Sequence, residues 1–102
     1  MNKLDHDIIY YPNGNKKQER YYLNNKLHNE YGPAIIGYLP TGNKWYEHYY
    51  LNGNFHNKHG PAYISYNNLG NKTYESYHFH GKTINVNSLE EFKIYVKTLV
   101  LK

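Results

Sequence analysis

Gly14, Gly42 and Gly70 stand 28 residues apart, and each is followed by Asn-Lys at 15/16, 43/44 and 71/72. The same period carries Glu19, Glu47 and Glu75, then Tyr21, Tyr49 and Tyr77, then Leu23, Leu51 and Phe79, with Asn25, Gly53 and Gly81 in the turn that follows. The first two copies continue through His28/His56, Asn29/Asn57 and Gly32-Pro33-Ala34/Gly60-Pro61-Ala62, and Tyr10, Tyr38 and Tyr66 close the unit. A fixed period of this length means an array of equivalent supersecondary units, each burying its apolar surface against the next. The 102 residues hold one domain (1–102), divided into units at 8–34, 35–62 and 63–85.

Each unit reads as two strands. Residues 44 to 51, KWYEHYYL, are aromatic and β-prone and run into Asn52-Gly53, a pair that tolerates positive φ and so suits a tight hairpin turn. After the loop with Gly60-Pro61, residues 62 to 66, AYISY, form the returning strand. All four prolines sit in connections, where the missing N–H does least harm. The expected fold is mainly β, an antiparallel meander of about six strands. Alternation puts Glu47, Tyr49 and Leu51 on one face with the Ala-Ile-Tyr stripe of the returning strands as core, and Tyr46, His48 and Tyr50 on the other. The second face varies between units, with Gly37 against Ser65 and Arg20 against His48, and is the better candidate for a specific contact.

The strings YYLNNKLHNEYGPAIIGY (21 to 38) and YYLNGNFHNKHGPAYISY (49 to 66) resemble MORN-type repeats, and more closely the variant with YYLNG…H…GPA units found in phage, giant-virus and bacterial proteins, some antitoxin-like. The resemblance covers roughly residues 8 to 85 and implies an elongated sheet of successive hairpins used as an interaction platform or dimerisation module. MORN repeats have been linked to acidic phospholipids, but the basic residues here are scattered and form no dense stripe. The chain departs from the ordinary pattern in its longer unit, in Asn25 where the second copy has Gly53, and in a third unit without the Gly-Pro-Ala return. That third unit is expected to be terminal, with a capping element after it.

The cap is predicted as a helix over 88–101. Ser88 and Glu91 form a capping box, and Leu89, Phe92, Tyr95, Val96, Leu99 and Val100 gather on one face at helical spacing. Ile94 and Leu101 fall opposite, adjacent to each other, and are the candidate contacts to a second subunit in a homodimer.

Composition narrows the chemistry. With no cysteine there are no disulfides, thiolate metal sites or thiol nucleophiles. No stretch approaches the roughly 20 apolar residues of a membrane helix, and nothing near the start resembles a signal peptide, so a cytoplasmic protein is expected. The bias toward Lys, Asn, Ile and Tyr resembles an AT-rich genome such as a virus or phage, for which the compartment would be the host cytoplasm. Eleven lysines and one arginine, for a net charge of +4, form no nucleic-acid groove, and neither nucleic acid nor membrane is an expected partner.

Equivalent residues of successive units lie two strands apart, about 10 Å at the usual strand spacing, whereas zinc ligands sit about 2.0 to 2.1 Å from one ion. His28 and His56 therefore cannot share a metal, and hydrogen bonds to the turn are their expected role. His78 and His80 could chelate but lack further ligands, so no metal or other cofactor is expected. The repeated glutamates suit a scaffold role, paired to Lys or to a Tyr hydroxyl, and no nucleophile, base and orienter come together, so no enzymatic activity is expected. What these exclusions leave is binding. The first expectation is a protein partner, held through an aromatic face or sheet edge anchored by Trp45, Tyr46, His48, Tyr50 and Tyr63, as in a viral or phage effector or an antitoxin-like inhibitor. The alternative is a small-ligand binder that stacks Tyr rings on a nucleotide or holds another phosphorylated signalling molecule.

Overall fold

The computed structural model describes residues 2–100, without the side chain of Val100. It is mainly β, with antiparallel strands in a meander and one helix at the C-terminal end. Three aromatic-rich segments form the long strands: β2 (Lys16–Leu23), β5 (Lys44–His48) continued by β6 (Tyr50–Leu51), and β9 (Lys72–Phe79). Each reaches a two-residue turn whose residues both have positive φ: Asn24-Asn25 at 51° and 67°, Asn52-Gly53 at 48° and 83°, His80-Gly81 at 49° and 83°. That combination matches the right-handed twist of the flanking strands, and it releases three short partners, β3 (Lys26–Leu27), β7 (Asn54–Phe55) and β10 (Lys82–Ile84). The returning strands are β4 (Ile35–Tyr38) and β8 (Tyr63–Tyr66), and β1 (Leu4–Tyr10) precedes them all.

The sheet runs β1-β2-β4-β5-β8-β9-β10, with β3 beside β2 and with β6 and β7 paired to each other. Seven strands follow this path where the sequence predicts about six. The difference lies at the ends: the last unit has no returning strand, β1 occupies the position of a returning strand before the first unit, with Ile8 opposite Glu19 just as Ile36 is, and β10 adds the seventh strand.

Register is set by a bulge that recurs with the sequence period. Tyr10 pairs with Lys16 while Ile9 pairs with Gln18, leaving Lys17 unpaired. Trp45 is left over in the same way between β4 and β5, and Thr73 between β8 and β9. One extra residue brings side chains three apart onto the same face, which plain alternation forbids. Lys16 thereby meets Glu19, Lys44 meets Glu47 at 3.1 Å and Lys72 approaches Glu75 at 3.6 Å. The glutamates lie in one transverse row across six strands: Ile8, Glu19, Ile36, Glu47, Ile64, Glu75. Glu19 and Glu47 are almost wholly buried, and a carboxylate there needs its charge answered. The Tyr66 hydroxyl also donates to Glu47, and burial together with that hydrogen bond holds the Tyr66 phenol above its usual range.

Successive units are tied by main-chain groups as well. Gly53 donates its N–H to the Leu27 carbonyl and Asn29 donates to that of Tyr50, and one unit later Gly81 donates to Phe55 and Asn57 to His78. Asn29 and Asn57 each brace their own Gly-Pro loop, donating from the side chain to the carbonyl of Pro33 or Pro61. Ala34 and Ala62, just past those loops, have no exposed surface.

The sheet is a single layer over most of its area, since the molecule measures 50 × 41 × 16 Å. Helix α1 (Leu89–Val100) packs on the glutamate face of the last unit. Its capping box forms with a small variation: Ser88 Oγ accepts the Glu91 N–H, while the Glu91 carboxylate reaches back to the Asn87 N–H rather than to Ser88. Phe92 is fully buried against Tyr77, with ring centroids 4.9 Å apart, and Tyr95 meets Phe79 edge-on. Val96 and Leu99 are half-buried on the same side, and Ile94 is 64% exposed.

Removing the Phe92 ring leaves a void under the helix, so Phe92→Ala should cost about 3–5 kcal/mol in urea unfolding. Ile94→Ala should change stability by less than about 0.5 kcal/mol. Equal losses from the two substitutions would mean that the helix docks by a different face.

Candidate functional site

The two faces of the sheet offer different surfaces. Opposite the glutamate row, β5 and β8 bring together the rings singled out in the sequence. Tyr46 stacks on His48 at 4.9 Å, and His48 on Tyr63 at 4.4 Å, so the imidazole lies between two phenol rings. Phe55 extends the cluster: it meets the edge of His48 at 5.8 Å, stacks on Tyr50 at 4.3 Å and on His78 at 4.9 Å. Tyr74 closes the far side against Tyr63 at 5.6 Å. Trp45 sits at the bulge and touches the cluster through Tyr46 at 5.6 Å. Strict alternation would put Trp45 on the glutamate face, and the bulge is what re-aims it. Thus Trp45, Tyr46, His48, Tyr50 and Tyr63 form one continuous surface.

Sequence reasoning missed Phe55, Tyr74 and His78. Each was within reach: Phe55 is placed opposite Tyr50 by the two-residue turn, and Tyr74 and His78 stand one period after Tyr46 and Tyr50.

Two local features make this face rigid. A Cβ on Gly37 would lie 2.1 Å from ring carbons of Tyr46, so glycine opposite Tyr46 lets that ring lie flat on the neighbouring backbone. The Tyr46 hydroxyl then accepts a hydrogen bond of 2.7 Å from the Gln18 side chain. His48 Nε2 is buried with no hydrogen-bond partner, and burial lowers the His48 pKa. Burial likewise lowers that of His78, whose ring bonds Ser76 Oγ at 2.8 Å. Burial thus disfavours the charged form of both imidazoles, whose rings extend the aromatic surface.

On the glutamate face the histidines act as links between units. His28 Nδ1 accepts the Asn52 N–H at 3.0 Å, and His56 Nδ1 accepts the His80 N–H at 2.8 Å. Each therefore satisfies the first residue of the next unit's turn, through a side chain that is nearly buried. The His56 and His80 rings stack at 4.0 Å. A groove runs beside them, lined by His28, Tyr49, Leu51, His56, Lys58 and His80. One unit later, Tyr77 and Phe79 hold the positions of Tyr49 and Leu51 and are covered by Phe92 and Tyr95. Among the described residues no three His, Cys, Asp or Glu side chains converge as metal ligands, and His78 and His80 are engaged with different partners. Leu101, the second dimer candidate, lies outside the described residues, and no helix among them is long and apolar enough to cross a membrane.

Burial, the adjacent His80 ring and Lys58 push the His56 pKa down to about 4. The folded state holds His56 neutral while the unfolded chain protonates it near pH 6.5, so its contribution is complete above about pH 6.5 and is lost as pH falls toward 4. Melting temperature should therefore decline across that window, with His48 and His78 acting in the same direction. His56→Ala should lower stability by about 1–3 kcal/mol at neutral pH, because the His80 N–H loses its acceptor, and should flatten the acid decline. An unchanged pH slope in that variant would exclude His56 as a titrating group. Comparison of the chain with protein-family models, with curated proteins and with solved structures finds no match.

Proposed function

We propose that the chain is a non-enzymatic interaction module that binds a protein partner through the aromatic face centred on His48. The observation that carries this reading is the continuous run of rings from Trp45 through Tyr46, His48 and Tyr63 to Tyr74, with Trp45 51% and Tyr74 57% exposed on a one-layer sheet. Tyrosine and tryptophan concentrate interface energy, and rings already held by stacking lose little rotamer freedom on docking. On the opposite face the groups a reaction would need are already engaged: the buried glutamates are ion-paired, and two of the histidines accept main-chain hydrogen bonds.

The setting suggested by the repeat resemblance is that of a viral or phage effector or an antitoxin-like inhibitor, working by occupying a partner's surface in the cytoplasm. Self-association through Ile94 and Leu101 is a separate proposal, which light scattering decides by the mass in solution.

The test is affinity capture with mass spectrometry, beside a thermal-shift panel of nucleotides. One stoichiometric protein partner is expected, with binding weakened at least about 100-fold, some 2.7 kcal/mol, in the double variant Tyr46→Ala/Tyr50→Ala. Intact binding in that variant means the partner uses another surface. Stabilisation by a nucleotide without any protein partner would replace this reading with ligand sequestration.

A further inference from the structure

Within the array, the first two long strands are flanked on both sides. Residues Gln18 to Arg20 of β2 pair with β1 on one side and with Ile35 to Gly37 of β4 on the other. Residues Tyr46 to His48 of β5 lie between β4 and β8. In β9 the equivalent residues, Tyr74 to Ser76, pair with β8 alone. β10 reaches only Tyr77 to Phe79, and the chain then enters α1 at the place where the earlier units have Gly-Pro-Ala and a returning strand.

The vacancy shows in the side chains as well. The Glu75 side chain is 35% exposed, against 7% and 8% for Glu19 and Glu47. Glu47 has both a lysine and the Tyr66 hydroxyl, whereas Glu75 has Lys72 at 3.6 Å and no tyrosine, because the position one period after Tyr66 is Ile94 in the helix. An open notch lies along this edge, bounded by Lys72 to Tyr77 and by Thr83 to Asn87. Ser76 turns its carbonyl toward β8, where it accepts the Ala62 N–H. Antiparallel alternation therefore points the N–H and carbonyl of Glu75 out into the notch.

We propose that the open edge of β9 at Tyr74 to Ser76 binds an extended segment of a partner protein carrying an Ala-x-Ile-x-Tyr pattern, which takes the place of the absent returning strand. The occupant is specified by the two returning strands present, Ala34 to Tyr38 and Ala62 to Tyr66. Its isoleucine completes the transverse row opposite Glu75, its tyrosine donates to the Glu75 carboxylate as Tyr66 does to Glu47, and its main chain pairs with the free groups of Glu75. The small first residue matches Ala34 and Ala62, which have no exposed surface beside the long strands. A second copy of the chain offers the same pattern at Ile8 and Tyr10. Its β1, however, continues through Leu4 to His6, which would run into Lys82 to Ile84, already paired with β9. The occupant is therefore a short segment of another protein. This rests on the reading of the chain as an interaction module, but on a surface apart from the aromatic face.

The probe is a labelled peptide with the sequence of residues 60 to 66, Gly-Pro-Ala-Tyr-Ile-Ser-Tyr, titrated against the full chain by fluorescence anisotropy and amide NMR. Saturable binding at up to about 1 mM is expected, with shifts centred on Glu75 and Tyr77. N-methylation of the peptide's isoleucine should weaken it at least about tenfold, while N-methylation of the serine, whose N–H faces away from Glu75, should leave affinity within about twofold. Glu75→Pro in the protein removes an N–H that no bond among the described residues uses and should also abolish binding. The methylated peptides give the same discrimination if that variant does not fold. No saturable binding by the unmodified peptide, equal effects of the two methylations, or shifts centred elsewhere would overturn the proposal. Tyr46→Ala/Tyr50→Ala should bind the peptide normally, so loss of a cellular partner in that variant and loss of peptide binding report on separate surfaces.

Discussion

The lysine that answers each buried glutamate sits three residues before it, a spacing that places the two on opposite faces of a regular strand. Only the bulge at Lys17, Trp45 and Thr73 brings them together, and the same bulge fixes which residue of the returning strand lies opposite which residue of the long one. A slip of one residue would turn each returning strand over, exposing Ala34 and Ala62 and setting the wrong side chains opposite Glu19 and Glu47. The ion pair thus acts less as a source of stability than as a selector of register. A modest domain whose sheet is one layer over most of its area cannot rely on a thick core for that specificity.

From this register the two faces acquire different characters. One carries the Ile/Glu row, the inter-unit histidine bonds and the helix. The other is left to aromatic rings, and there the equivalent positions of successive units diverge: Gln18, Tyr46 and Tyr74 in one series, Arg20, His48 and Ser76 in the next. Uniformity on the first face is what permits variation on the second, because the scaffold no longer depends on it. His48 illustrates the division. It holds a Nε2 without a partner between two tyrosine rings, an arrangement with no scaffold role that suits a preformed contact surface.

Much of this was legible in the sequence, and for one reason. Repetition reveals constraint, so the positive-φ turns at Asn52-Gly53 and its equivalents, the scaffold role of Glu47 and the capping of α1 by Ser88 could all be read from residues that recur or from local chemistry. The bulge was not legible, because a bulge is a property of two paired strands and the sequence shows only one at a time. Alternation alone therefore gives no route by which Trp45 reaches the aromatic face. The partners of His28 and His56 were also hidden: each reaches 24 residues ahead, to Asn52 and His80, a distance that only stacking of the units closes. The free edge of β9 is a third such case, since a missing Gly-Pro-Ala says that a unit is terminal but not that its last strand stays open.

Cross-strand Hα–Hα contacts in an NMR spectrum of the intact chain report the register. Those contacts are strong only between directly opposed residues of a non-hydrogen-bonded pair. Strong contacts are expected between Arg20 and Ile35, Ile36 and Glu47, His48 and Tyr63, and Ile64 and Glu75, the pairs that fix the Ile/Glu row. Contacts displaced by one residue, such as Ile36 to His48 or Ile64 to Ser76, would contradict that register.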